Sequence, residues 1–221
     1  PYIWENKLRT EIITPGTRKN RAYDLNGKLL YQFGGNSSIT IATPYAKFGL
    51  LYVTSGYVGD RKKPMFAIRP GAKGDISLES DKDKNEYVVW CQRRAGPYNP
   101  STITYGDLMY VLLDRGLAAC YEAKTGKHVY GPERVVPRGG AFTSSPWAYN
   151  DKVFFLDENG VTYVLQVGRK FKISHTNHLN AKEDMCMATP AMVGDKLIIR
   201  TEARVYCFKK SGEGSESKSQ P

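Results

Sequence analysis

Self-similarity at a fixed spacing constrains this chain more than any other feature of its sequence. A Ser/Thr-Pro step opens an apolar run, a second run follows eight residues after the Pro, and a third ends in a polar, Gly-containing turn. The openings are Pro1, Thr43-Pro44, Ser145-Pro146 and Thr189-Pro190, with a weaker version at Ser101-Thr102, where Thr replaces Pro. Successive spacings at the Pro position are 43, 58, 44 and 44 residues. Eight residues on stand Tyr52, Tyr110, Phe154 and Ile198. The third runs align as Arg21-Ala22-Tyr23-Asp24, Phe66-Ala67-Ile68-Arg69, Ala119-Cys120-Tyr121-Glu122, Tyr163-Val164-Leu165-Gln166 and Tyr206-Cys207-Phe208-Lys209. Three landmarks in one register mark a repeated structural unit.

The unit is built from strands. Its runs are rich in Val, Ile, Tyr and Phe, they are bounded by turn residues such as Asp114-Arg115-Gly116 and Asp157-Glu158-Asn159-Gly160, and no helical period competes with them. Fourth runs follow: Leu29-Leu30-Tyr31-Gln32-Phe33, Tyr87-Val88-Val89-Trp90-Cys91, His128-Val129-Tyr130 and Phe171-Lys172-Ile173. A strand-only period near 44 residues predicts an all-β chain of four-stranded antiparallel blades, a β-propeller. Each blade buries both faces against its neighbours, hence runs that are apolar on both sides. The expected blades are 1–40, 41–98, 99–142, 143–186 and 187–210, and the second carries two polar insertions, around 56–63 and 72–85. The fifth has three strands, giving four complete blades and a three-stranded one in an incomplete ring. Residues 211–221 read as a disordered tail. Because the chain opens on a first strand and has none spare to donate, it is expected to be the C-terminal portion of a longer propeller with missing N-terminal blades; a five-blade ring with one open seam is the alternative.

Composition excludes several classes. No run of 18 apolar residues exists, so no membrane-spanning helix is expected, and four cysteines are too few for a disulfide scaffold. The net charge of +10 invites anionic partners. The basic residues nevertheless fall in short groups (Arg18-Lys19, Arg61-Lys62-Lys63, Arg93-Arg94, Gly168-Arg169-Lys170, Lys209-Lys210), which read as solvated edges and turn tips rather than a nucleic-acid footprint.

Two of the repeats carry a resemblance. Tyr23-Asp24-Leu25-Asn26-Gly27-Lys28-Leu29-Leu30-Tyr31 and Cys120-Tyr121-Glu122-Ala123-Lys124-Thr125-Gly126-Lys127 resemble the A-x-D-x-x-T-G-K-x-x-W signature of the PQQ-like (quinoprotein-type) β-propeller repeat family. Ser145-Pro146 followed by Asp151-Lys152-Val153-Phe154 is similar to its opening. The closing Trp of the signature is Tyr here, at Tyr31 and Tyr130. The resemblance covers nearly all of residues 1–210 and implies a location in the periplasm or outside the cell. It implies one of two functions: a cofactor-free scaffold, like the propeller lipoprotein of the outer-membrane barrel assembly machine, or a dehydrogenase holding pyrroloquinoline quinone (PQQ) and calcium. The second would imply vicinal cysteines, a Trp platform and a Glu/Asn/Asp cage. Cys91, Cys120, Cys186 and Cys207 are nowhere adjacent, and Asp157 and Asn159 read as turn residues. A non-catalytic platform without cofactor is therefore the expectation, and a fragment of a quinoprotein dehydrogenase the alternative.

Other candidates have plainer readings. His175 and His178 point to opposite faces of a strand and are read as exposed outer-strand residues rather than a metal pair. Met185-Cys186-Met187 is read as core rather than a copper site, and Cys120 and Cys207 as buried free thiols. No catalytic set is identified. Topology places the loops that follow outer strands at the same end of the blades as the second-to-third turns. That end gathers Tyr57, Arg93, Arg94, Tyr98, Arg115, Arg138 and Asp157. Arg and Tyr are interface anchors, so this face is expected to bind an acidic protein segment or a polyanionic glycan.

Overall fold

The structure, a computed structural model, describes residues 1–180 and 184–209. The segment 211–221, read above as a tail, lies outside the described residues. Regular structure among the described residues is all strand, in five sheets. The first holds β1 (Tyr2–Glu5), β2 (Thr10–Thr14), β3 (Lys19–Tyr23) and β4 (Leu29–Gly34). The second holds β5 (Tyr45–Lys47), β6 (Leu50–Thr54), β7 (Met65–Ile68) and β9 (Val88–Gln92), with β8 (Gly74–Asp75) in the loop between the last two. The third is β10 (Ile103–Tyr105), β11 (Leu108–Leu113), β12 (Leu117–Glu122) and β13 (His128–Arg134). The fourth is β14 (Trp147–Tyr149), β15 (Lys152–Leu156), β16 (Val161–Gln166) and β17 (Ile173–His178). The fifth is β18 (Ala191–Val193), β19 (Lys196–Arg200) and β20 (Val205–Lys209). Within each blade the strands run in chain order, each antiparallel to the last.

One row of paired residues recurs in every blade and explains the sequence landmarks. It runs Tyr2–Ile13–Ala22–Tyr31, Tyr45–Tyr52–Ala67–Trp90, Ile103–Tyr110–Cys120–Tyr130, Trp147–Phe154–Val164–His175 and Ala191–Ile198–Cys207. The third place is always small, and a ring faces it from the fourth strand wherever that strand exists. Large against small lets neighbouring layers interdigitate. Each outer strand carries a bulge one residue before that ring, at Leu30, Val89, Val129 and Ser174. The extra residue increases the local twist.

Consecutive sheets pack face to face. Trp4, Phe33 and Tyr31 of the first share a core with Leu51, Phe66 and Val88 of the second. Tyr52, Met65 and Trp90 meet Met109, Val111 and Tyr121 of the third. Tyr110 and Leu112 meet Val153 and Phe155 of the fourth, and Trp147 and Leu156 meet Ile199 of the fifth. The middle strands of the inner blades are accordingly buried on both sides, as in β6 and β11, whereas β2 alternates. The hydroxyls of the repeat openings join successive blades: the Thr43, Ser101 and Ser145 amides donate to Ser101 Oγ, Ser145 Oγ and Thr189 Oγ1, each at 2.9 Å. From Ser101 onward, the Ser/Thr of an opening thus accepts from the equivalent amide of the preceding blade.

Trp90, which was not aligned with the signature, occupies its closing position. Its indole N–H donates to the Ala123 carbonyl at 3.0 Å, and its ring lies against Gly126 of the next blade's turn. A Cβ on Gly126 would stand 2.6 Å from the Trp90 ring, and the residue has φ +69°.

Four details depart from the sequence reading. β8 pairs in parallel with β4, so the first sheet acquires a fifth short strand from the second blade's insertion. The outer strand of the fourth blade is Ile173–His178 rather than Phe171–Ile173, because the bulge at Ser174 carries pairing onward through exposed His175 and His178. Cys186 is core, but Met185 and Met187 are 45% and 50% exposed. Cys91 and Cys120 are buried while Cys207 is exposed. The exposure of Cys207 has a plain cause: among the described residues β20 has neither an outer strand nor a further blade against it.

Replacing Gly126 by Ala is expected to cost about 2 kcal/mol or more, from overpacking and left-handed strain together, and to lower the thermal midpoint. Burial pushes the Cys91 and Cys120 thiols up to about 12 and raises that of Cys186. A thiol reagent at pH 8 should therefore label one cysteine promptly in the native protein, Cys207, and the other three only on unfolding.

Candidate functional site

The site lies at the end of the blades where outer strands hand over to the next blade. Two connections of the second blade cross there at unusually short range. A Cβ on Gly56 would meet the Gly96 carbonyl oxygen at 2.0 Å, and one on Gly96 would meet that of Ser55 at 2.3 Å, so only glycine permits this approach. The crossing is tied by Gly96 N–H to Lys63 O at 2.7 Å and Lys63 N–H to Arg93 O at 2.9 Å. Lys63 and Arg94 form a parallel bridge, so two cationic stretches that are distant in sequence run side by side.

Beside this crossing is a cleft of about 550 Å³. Arg61, Lys62, Arg93 and Arg94 line it, with Ser77 and Ser80 at the side and Phe66, Leu78 and Cys91 among the apolar lining. None of the lining residues is acidic. Arg94 also lines a second hollow, of about 200 Å³, with Lys63, Asp114 and Arg115 of the third blade. Three carboxylates on the two insertions, Asp60, Asp75 and Glu79, are already engaged. Asp60 accepts from Ser37 Oγ at 2.7 Å and from the Ser38 amide, and these bonds hold its carboxyl below the usual range. Asp75 is held lower still, first by Lys19 at 2.8 Å and then by the Ser77 hydroxyl and amide. Glu79 pairs with Lys82 at 2.8 Å.

The seven candidates divide into groups. Tyr57 and Tyr98 meet edge to face at 5.2 Å. Arg94 and Arg115 share the smaller hollow. Arg93 is partly committed, its guanidinium donating to the carbonyls of Glu79 and Lys82 and holding the 72–85 insertion against the cleft. Arg138 is exposed but lines neither hollow. Asp157 is 3% exposed and accepts from the Asn159 and Val161 amides at 3.0 and 2.8 Å; burial raises its pKa. It closes its turn and offers nothing to a partner. Arg61, Lys62, Lys63 and Ser77 were not singled out for the site, though the basic triplet inside an insertion was the available signal.

The donor set bears on cofactors. Among the described residues no three His, Cys, Asp or Glu side chains converge, and the four cysteines are free. Among the same residues, no helix is long and apolar enough to cross a membrane.

No protein-family model matches the chain, and no curated protein matches it significantly in sequence. Solved structures do. The crystal structure of BamB from Moraxella catarrhalis superposes with a TM-score of 0.59 at 13% identity, covering 94% of this chain and 57% of that one. A europium-containing methanol dehydrogenase gives 0.51 at 12%, covering 72% and 34%. The chain thus spans less than two thirds of the length of either. At such identities the likeness is one of fold, and the fold is a β-propeller of four-stranded blades.

The depressed acids fasten the insertions in a pH-dependent way. A carboxyl with a lowered folded pKa contributes stability that is present above its unfolded pKa and lost as pH falls through the folded one. Amide exchange in 56–64 and 72–85, corrected for intrinsic rates, should accelerate between pH 5 and pH 2 more than exchange in β11 and β15.

Proposed function

We propose that the chain is a non-catalytic binding platform of the PQQ-like propeller kind, presenting its loop face to a protein partner outside the cytoplasm. The observation that carries this reading is the shared position of Arg94: cations from connections of two blades gather around it. The Tyr57–Tyr98 pair beside them adds rigid apolar surface with polar tips, the composition that interfaces use as anchors. Packed sheets hold this face with little freedom to lose, which favours binding by pre-organisation.

Partners captured by cross-linking to the wild-type chain should be lost when Tyr57, Arg94 and Arg115 are all changed to Ser, with the thermal midpoint unchanged. Retention of the same partners would overturn the platform reading. Titration with PQQ and calcium should produce neither a bound-cofactor absorbance nor a rise in thermal midpoint. Saturable binding with both would favour the dehydrogenase reading instead.

A further inference from the structure

The loop face has a shape as well as a charge. The larger cleft and the smaller hollow share Arg94 as a lining residue, so cationic side chains follow one another, as a track, from the edge of the first blade across the second to Arg115 on the third. Along it lie Arg61, Lys62, Lys63 and Arg94, from both insertion and linker. Of these, Lys63 is turned to the Val58 carbonyl at 3.1 Å, whereas Arg61, Lys62 and Arg94 are exposed. Beside the larger cleft, Asp60, Asp75 and Glu79 have partners of their own and compete little for these cations. Asp114 lies in the smaller hollow with Arg94 and Arg115, so the cations of the larger cleft carry the charge argument.

An elongated trough suits an extended chain better than a compact ligand, which would need enclosure to lose most of its water. Guanidinium groups are matched by planar carboxylates, which they bind with paired N–H donors. The exposed Ser80 hydroxyl adds a neutral donor along one wall, while the Ser77 hydroxyl and amide are already given to Asp75. The apolar lining at Phe66 and Leu78 accommodates the methylene stems of acidic side chains.

We propose that this track binds an extended acidic peptide segment, with carboxylates seated at Arg61, Lys62 and Arg94 and the chain continuing toward Arg115. The inference rests on the platform reading and gives its partner a chemistry. Arg93 is a positioning residue in this scheme, since its guanidinium keeps the 72–85 wall in place through the Glu79 and Lys82 carbonyls.

The test uses fluorescein-labelled oligoglutamate as probe, followed by anisotropy on the whole chain at low ionic strength. The wild type should bind, and binding should weaken steadily as salt is added. Changing Arg61, Lys62 and Arg94 together to Ser should weaken it about tenfold or more. Changing Lys28, Lys127 and Lys152 to Ser removes equal charge from the opposite end of the blades and should alter it less than about twofold. Reversing Arg61 and Lys62 to Glu should transfer binding from oligoglutamate to oligolysine, which a misfolded variant could not do. Equal weakening by the two triple variants would overturn the proposal by tracing binding to net charge. Absence of oligoglutamate binding to the wild type, or binding only of a sulfated oligosaccharide or of inorganic pyrophosphate, would overturn it too. If oligoglutamate fails while cross-linked partners still depend on Tyr57, Arg94 and Arg115, the peptide inference falls and the platform stands; loss of that dependence removes the platform itself.

Discussion

A sheet with two apolar faces is stable only between two others, and most of the sheets here are of that kind. Fully burying one Leu, Phe or Met side chain contributes roughly 1.5–3 kcal/mol, so the four shared cores between neighbouring blades outweigh any single hydrogen bond or ion pair in the molecule. This demand fixes the rest. It requires a small residue at the third place of every row, a ring at the fourth, and a glycine where Trp90 meets the next blade's turn. It also accounts for the end of the array: where the neighbour and the outer strand are missing among the described residues, Cys207, Phe208 and Val205 stand in solvent although their sequence context matches buried counterparts.

Most of the fold was legible because its landmarks are local. The eight-residue step from the repeat opening to Tyr52, Tyr110, Phe154 and Ile198 is the length of one hairpin, and each of these residues pairs with the one just after the opening position. The turns at Gly116 and Gly160, with φ +72° and +78°, were equally plain. What escaped was non-local. β8 is two residues long and has no strand-like composition; it is ordered by pairing with β4 of another blade. The exposure of Cys207 depends on what stands beside it, which its own residues do not encode.

The candidate site was half visible for the same reason. Arg93 and Arg94 were singled out by their place after an outer strand, whereas Arg61-Lys62-Lys63 looked like another solvated turn. Their union depends on the Gly56–Gly96 crossing, a contact between two chain segments that no periodicity reveals. Asp157 shows the opposite error: an acidic residue on the correct face whose carboxylate is used inside its own turn.

The hydroxyl seam has a bearing on how such a molecule changes over generations. Thr43 reaches Ser101 across 58 residues with the same geometry by which Ser101 reaches Ser145 across 44, so the surplus length of the second blade is invisible to the joint. Growth is diverted outward, into connections that leave the joint untouched and meet a paired row only from outside, where Gly74 lies beside Tyr31. A lineage built on this plan is free to acquire or discard a recognition surface by lengthening one loop, while the architecture beneath it stays the same.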